Sequence, residues 1–456
     1  MSETVVKAWV CPVCGYVHYG AEPPDECPVC GAPKSDFEPA PEAGASGAPA
    51  AGPSGKALIV GAGIAGVSAA EALRQVAPQA EITLISSDAA LPYYRLNLTR
   101  YLAGEVSGEQ LVLHPEDWYA ERRIELLRSS EARQLDLAQK QLALADGRRL
   151  AYDQLILTVG ARPFLPPFPG AHRKNVTALR TRQEADFILQ ACQGGRACVC
   201  IGGGLLGLET AGALACRGIP VTVLENQAWL LPRQLNQAAG RLFQERVRAL
   251  GIALRTRALT RELEGDEAVR GVLLEDGERL PAEVVVISAG VRANLDLARQ
   301  AGLEVKQGLL VDNWLRTSQS EVYAAGDVAE HRGVLYGTWA PAQMQGSIAG
   351  MNAGGQKVEF NGIARATTLK VLGINLFSIG KIAPESAADV CVEAELDGNY
   401  YCFVLREGLL AGAILLGDTS LAAKVKKVVD ERSDCSCLVQ GRCEVKDVLE
   451  FLQGVG

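Results

Sequence analysis

Two stretches of this chain are built on the same glycine spacing. Gly61-Ala-Gly63-Ile-Ala-Gly66 follows the apolar run Lys56-Ala-Leu-Ile-Val, and Gly202-Gly-Gly204-Leu-Leu-Gly207 follows Ala197-Cys-Val-Cys-Ile, 141 residues later. Each leads into a helix-like stretch and then a second apolar strand, Glu81 to Ile85 and Pro220 to Glu225. In such a strand–turn–helix unit the first glycine makes the tight turn. The second lets the backbone approach a diphosphate, and the third lets helix and strand pack closely. The diphosphate then rests on the helix N-terminus, where orphan N–H groups and the helix dipole favour an anion. One motif alone is matched by simple close packing of a helix on a strand. Two of them in the same βα context predict two dinucleotide-binding domains.

The second copy carries Glu225 at the end of its second strand, followed by Asn226 and Gln227. An acid about 20 residues past the glycines hydrogen-bonds a ribose 2′-OH and repels a 2′-phosphate. No arginine follows it, so NADH is expected over NADPH. The first copy has Ser86 and Ser87 there, with Asp88 slightly late, which leaves its adenosine-ribose contact unassigned.

At 456 residues the chain is too long for one ordinary core. The expected fold is α/β: two Rossmann-like domains, a C-terminal α+β domain and a small metal domain in front. Residues 56–170 and 289–360 form the first Rossmann-like unit, and 171–288 form the second, inserted into it. Residues 361–456 make the α+β domain: Thr368 to Ile379, Asp389 to Leu396, Asn399 to Leu405 and Leu409 to Leu416 read as strands, and Ser420 to Glu431 as a helix. Residues 40–55 contain only Ala, Gly, Pro, Ser and one Glu, too little to fill a core. They read as a flexible linker with a span of roughly 20–24 Å, enough to let residues 1–39 swing over a neighbouring domain.

Residues 1–39 hold Cys11-Pro-Val-Cys14-Gly and Cys27-Pro-Val-Cys30-Gly. Two Cys-x-x-Cys turns deliver four thiolates to one tetrahedral ion. The glycine after each pair allows a left-handed turn that aims backbone N–H groups at sulfur. A unit this small lacks a sufficient core, so the metal supplies much of its folding energy. Spacing alone leaves iron and structural zinc both open.

The formal net charge of −8 excludes a broad basic footprint for nucleic acid. No run of eighteen apolar residues and no secretory leader is read, so a cytoplasmic protein without a membrane span is expected. In that setting the 13 cysteines point to metal or redox use rather than a disulfide framework. Cys192, Cys198, Cys200 and Cys216 read as small buried hydrophobes.

The motif set resembles the flavoproteins with two dinucleotide-binding domains, over roughly residues 56–425. Leu155 to Pro163, with Thr158 and Gly160, is similar to the segment joining the FAD and NAD domains. Val286 to Asn294 is similar to the crossover back. Val322-Tyr-Ala-Ala-Gly326-Asp327 resembles the motif whose aspartate holds the FAD ribityl chain. Pro92-Tyr-Tyr-Arg95-Leu-Asn-Leu-Thr-Arg100, Gly337-Thr-Trp339-Ala-Pro-Ala-Gln343 and Leu415-Leu-Gly-Asp418 are similar to the NADH:rubredoxin oxidoreductase and nitrite reductase branch. Residues 1–39 resemble rubredoxin, especially the short rubredoxin-like domain of rubrerythrins, which favours iron over zinc.

This resemblance implies FAD as a cofactor, with Arg95 at its site, and NADH as donor. A hydride carries two electrons and a single iron accepts one, so a flavin is the converter. It also implies an acid–base pair near the flavin, Glu209 with Arg100; the family usually has Lys at the latter position, and an arginine there implies a fixed charge. Trp339 matches a tryptophan at the flavin–nicotinamide region. With no cysteine between Cys30 and Cys192, thiol–disulfide chemistry at the flavin is disfavoured. Implied partners are electron acceptors such as rubredoxin, rubrerythrin or a flavodiiron protein, and a homodimer is compatible. Two other readings stay open: a zinc-stabilised docking module on an NADH-dependent flavoenzyme, and the flavin subunit of a nitrite reductase. Cys435, Cys437 and Cys443 resemble only part of the cluster-binding segment of the latter and are left without a role.

Overall fold

The structure is a computed structural model that describes residues 7–11, 16–25, 27, 33–39, 55–363, 366–439 and 443–455. Cys14, Cys30 and linker residues 40–54 lie outside the described residues.

Two five-stranded parallel sheets dominate, and they are wound alike. In the first the order is Val322–Ala324, Gln154–Leu157, Lys56–Val60, Glu81–Ile85, Ile124–Leu127. In the second it is Val176–Thr177, Val284–Ile287, Cys198–Ile201, Val221–Glu225, Ala253–Thr256. The strand feeding each glycine turn is thus the middle one. Helices cover parallel sheets on both faces, so their strands are apolar throughout rather than alternating. Cys198–Ile201 and Val284–Ile287 are buried at every position. Each fully buried aliphatic side chain contributes roughly 1.5–3 kcal/mol. Each unit also carries a three-stranded antiparallel meander, Ala132–Ala151 and Thr260–Pro281. The α/β fold expected from the duplicated glycine spacing is what the chain adopts.

The two units are joined by a two-stranded ribbon. Ala161–Pro163 runs out of the first unit and Val291–Ala293 runs back, paired antiparallel with Ala161 opposite Ala293. These are the two segments read as joining and crossover, 130 residues apart, now side by side. In the first unit, helix Ile64–Val76 packs on helix Trp339–Ala353 so closely that a Cβ at Gly346 or Gly350 would strike the carbonyl oxygen of Ala65 or Ala69.

The C-terminal sheet is antiparallel, in the order Ala366–Val371, Ile374–Gly380, Leu409–Leu416, Asn399–Arg406, Asp389–Leu396. The run Thr368 to Ile379, expected as one strand, is a hairpin instead. Its turn falls at Leu372 and Gly373, both with positive φ, at 62° and 68°. Period-two alternation divides the sheet between two cores. Tyr400, Cys402 and Val404 face the second Rossmann-like unit. Tyr401, Phe403 and Leu405 face the helices Ala422–Asp430 and Val445–Gly454. Near the N-terminus, strands Val17–Gly20, Lys7–Val10 and Glu38–Pro39 form a small antiparallel sheet. No helix among the described residues is long and apolar enough to cross a membrane.

Candidate active site

The two glycine turns have the same geometry. Gly61 and Gly202 take φ of 108° and 118°, which L side chains rarely adopt. A Cβ at Gly66 would fall on the carbonyl oxygen of Gly61, and one at Gly207 on that of Gly202. By contrast, nothing lies within 4 Å of a Cβ built at Gly63 or Gly204. These two are the N-caps of helices Ile64–Val76 and Leu205–Cys216. Each turn therefore presents open space over orphan N–H groups, the shape a diphosphate requires. Thr158 braces the first turn, its hydroxyl donating to the Gly61 carbonyl at 2.6 Å. Gly160 lies just beyond, with φ of 65°.

Glu225 is buried against the second turn. Its Oε2 accepts the Gly203 N–H at 2.9 Å and its Oε1 the Gln227 N–H at 2.8 Å. In the first unit, Asp88 instead accepts from the Ala90 N–H at 3.1 Å and from the Tyr93 hydroxyl at 3.4 Å.

A largely buried ion pair links the two units. Arg180 Nη2 donates to Asp327 Oδ2 at 2.7 Å, with both side chains largely buried. Burial pushes the pKa of Arg95 down, and the like charge of Arg180 adds to this. The carboxylates of Asp327 and Asp88 oppose both effects. Sequence reasoning missed Arg180. It sits immediately before the capping box of helix Arg182–Ala191, where Thr181 and Glu184 each bond the other's backbone. The Thr-x-x-Glu spacing is a legible helix start, but nothing local aims Arg180 at Asp327.

Buried Asn97 Oδ1, Arg180 Nε, Trp339 Nε1 and Gln345 Nε2 have no hydrogen-bond partner among the described residues. Buried polar groups are seldom left so. Gln345 is anchored through its other atom, Oε1, which accepts the Gly326 N–H at 2.9 Å beside Asp327. Orphan polar atoms and a diphosphate cradle together fit a large, polar, anionic cofactor such as FAD. Trp339 stacks on Tyr94, next to Arg95, with ring centroids 5.3 Å apart and planes 23° off parallel.

The expected contact between Glu209 and Arg100 is not made. Arg100 is exposed and pairs with Glu105 at 3.0 Å. Its neighbour Thr99 donates to Glu209 Oε2 at 3.3 Å. One residue turns a helix by about 100°, so on helix Leu98–Ala103 it is Thr99 that meets helix Leu205–Cys216. Burial pushes the Glu209 carboxyl up to about 7, against the smaller opposing effect of the Thr99 bond.

At the N-terminal module Cys11 and Cys27 are buried. The Cys11 N–H donates to the Tyr16 carbonyl at 2.8 Å. Phe37 meets Tyr16 edge-on, 6.5 Å between centroids. These four residues belong to the apolar cluster of the C-terminal sheet, against which Trp339 also packs. Burial pushes the Tyr94 hydroxyl up, and Tyr16 of the module opposes this. Of the cysteines expected as buried hydrophobes, Cys192, Cys198 and Cys200 are buried, whereas Cys216 is exposed. It falls at the last position of its helix, where the apolar face has already turned away.

The family profile described as pyridine nucleotide-disulphide oxidoreductase matches residues 55–346, more than half of the chain. The chain belongs to that family. It is accordingly an FAD-dependent oxidoreductase. Two further profiles fit this flavoprotein: the rubredoxin NAD+ reductase C-terminal domain over residues 366–433, and the rubrerythrin rubredoxin-like domain over 9–38. Among curated relatives, a Bacillus subtilis nitrite reductase [NAD(P)H] is 34% identical over 382 residues, 83% of this chain and 48% of that protein. The flavoprotein thus spans about half the length of that relative. The NADH-rubredoxin oxidoreductase of Clostridium acetobutylicum is 32% identical over 377 residues, 83% of this chain and 95% of that protein. Among solved structures, the reductase in a covalent putidaredoxin reductase–putidaredoxin complex superposes with a TM-score of 0.77 at 27% identity, covering 88% of this chain and 99% of its own.

Proposed function

We propose that this flavoprotein oxidises NADH and passes electrons singly to a rubredoxin-type iron centre, its own residues 1–39 or a separate rubredoxin, and on to an acceptor protein. The observation that carries this reading is the packing of Cys11, Tyr16, Cys27 and Phe37 into the apolar cluster against which Trp339 also packs. Trp339 in turn stacks on Tyr94, the neighbour of Arg95. Metal identity separates this reading from that of a zinc-stabilised docking module.

In this reading Gly61, Gly63 and Gly66 seat the diphosphate of FAD, with Arg95, Thr158, Gly160, Arg180 and Asp327 around the rest of it. When bound, FAD supplies the conversion of a two-electron donor into one-electron steps. Gly202, Gly204, Gly207 and Glu225 hold NADH from the other unit. Trp339 and Tyr94 form an aromatic wall on the side of the metal module. Glu209, raised to about 7 by burial, is poised between its neutral and charged forms beside Thr99 at neutral pH, and Arg100 contributes only charge. Cys11, Cys14, Cys27 and Cys30 bind the iron. The division into residues 1–39, 40–55, 56–170 with 289–360, 171–288 and 361–456 corresponds to metal module, tether, FAD unit, NAD unit and C-terminal α+β domain. A tether raises the effective concentration of the module to the order of mM.

Limiting NADH added anaerobically is expected to bleach both the flavin bands and a ferric–thiolate band, with one iron per chain by metal analysis. Bleaching of the flavin alone, with zinc in the cysteine site, would sink the proposal. Removing residues 1–55 should leave flavin reduction by NADH unchanged and slow delivery to the protein acceptor. For the donor, Glu225→Gln removes the charge that repels a 2′-phosphate. It should narrow the preference for NADH over NADPH about tenfold, a change of ~1.4 kcal/mol, measured as the ratio of the two kcat/KM values.

A further inference from the structure

Away from the cofactor site, the edge of the C-terminal sheet brings two thiols and a carboxylate together. Cys391 and Glu393 lie on strand Asp389–Leu396, and Cys402 lies on strand Asn399–Arg406. Glu393 is directly opposite Cys402, and Cys391 opposite Val404. Alternation puts all three side chains on one face. Their ligand atoms lie within 4.8 Å of one another, and the two sulfurs are 3.7 Å apart.

From this geometry we infer that Cys391, Glu393 and Cys402 form a second metal site, for a thiophilic divalent cation such as Zn2+. Tetrahedral zinc with bonds of about 2.3 Å to sulfur holds two thiolates about 3.8 Å apart, so the sulfurs are already at ligand spacing. A disulfide is the poorer outcome. Cys391 and Cys402 are diagonal neighbours in the ladder, where Cα atoms stand roughly 7–8 Å apart; disulfides rarely span more than about 6.8 Å.

The carboxylate is held as a ligand would be. Glu393 Oε2 accepts the Tyr400 hydroxyl at 2.6 Å and the Asn236 amide at 2.9 Å. Both bonds fall on Oε2, and no bond to Oε1 occurs among the described residues, so Oε1 is free for the ion. Outer-shell bonds of this kind orient a ligating carboxylate. Cys391 is half-buried and Glu393 exposed, which gives the ion an entry path and solvent a fourth position. Binding would release the thiol protons. Asn236 also caps helix Gln237–Ala249 through the Ala239 N–H at 2.9 Å. The ion would thus clamp the C-terminal sheet to the second Rossmann-like unit.

The test is anaerobic titration of the reduced full chain with Co2+ alone, following thiolate-to-cobalt absorption, with its N-terminal cysteine site filled beforehand. One equivalent is expected for the wild type and none for Cys391→Ser or Cys402→Ser. Flavin reduction by NADH should be unchanged in both variants, which shows that they fold. Tyr400→Phe leaves both thiols in place and is expected to weaken cobalt binding about 10- to 100-fold. A wild type that takes up no cobalt, or serine variants that still take up one equivalent, would overturn the site. So would a Tyr400→Phe variant that binds as the wild type does, since two thiols merely in contact would not respond to it.

Discussion

Gly207→Ala is expected to lower kcat/KM for NADH by about 10- to 100-fold while leaving bound flavin in place; Gly66→Ala should instead release the flavin. The two glycines occupy equivalent places in equivalent units. In each case the added Cβ falls on a backbone carbonyl oxygen, that of Gly202 or Gly61, deep inside ordinary contact distance. Backbone cannot rotate away as a side-chain tip can. The helix must therefore lift from its strand, and its N-terminus moves off the diphosphate. Overpacking of this kind costs about 1–3 kcal/mol, and each ~1.4 kcal/mol is a factor of ten in affinity. Flavin content after gel filtration and stopped-flow reduction by NADH separate the two variants. If Gly207→Ala lost its flavin but bound NADH normally, the assignment of the two turns would have to be exchanged.

The same contrast explains what could be read in the sequence. A glycine turn announces itself because its requirement is local: positive φ at Gly61, no room for Cβ at Gly66, and an apolar strand in front. Contacts set by tertiary packing are not legible in this way. Arg180 meets Asp327 across 147 residues of sequence, and the capping box at Thr181 says only where a helix begins. A one-residue difference on a helix decided that Thr99, rather than Arg100, faces Glu209. The hairpin at Leu372 and Gly373 was hidden because apolar residues flank the turn on both sides. Leu372 is itself packed over Gly212 of the second fingerprint helix. Cys391 and Cys402 meet only once the strand register is known.

Glu209→Gln is expected to flatten the dependence of stability on pH between about 4.5 and 7. The folded chain raises this carboxyl from the ordinary 4.5 to about 7, through burial. The folded state therefore binds the proton more tightly than the unfolded state does. Its contribution is complete below pH ~4.5 and is lost as pH rises to about 7, an amount of about 3 kcal/mol at most. Glutamine keeps the shape and can still accept from Thr99, but it never ionises. In denaturant melts at pH 5 and pH 8, the variant should therefore lose less stability than the wild type by up to that amount. The Thr99–Glu209 bond also joins helix Leu98–Ala103 of the first Rossmann-like unit to helix Leu205–Cys216 of the second. At physiological pH the site is poised between neutral and charged, so the limb near pH 7 in the rate of flavin reduction should vanish with the same substitution. Wild-type and variant curves that run parallel in both measurements would mean that Glu209 is already ionised in the folded chain. The carboxyl would then need a cation that Arg100, held by Glu105, does not supply.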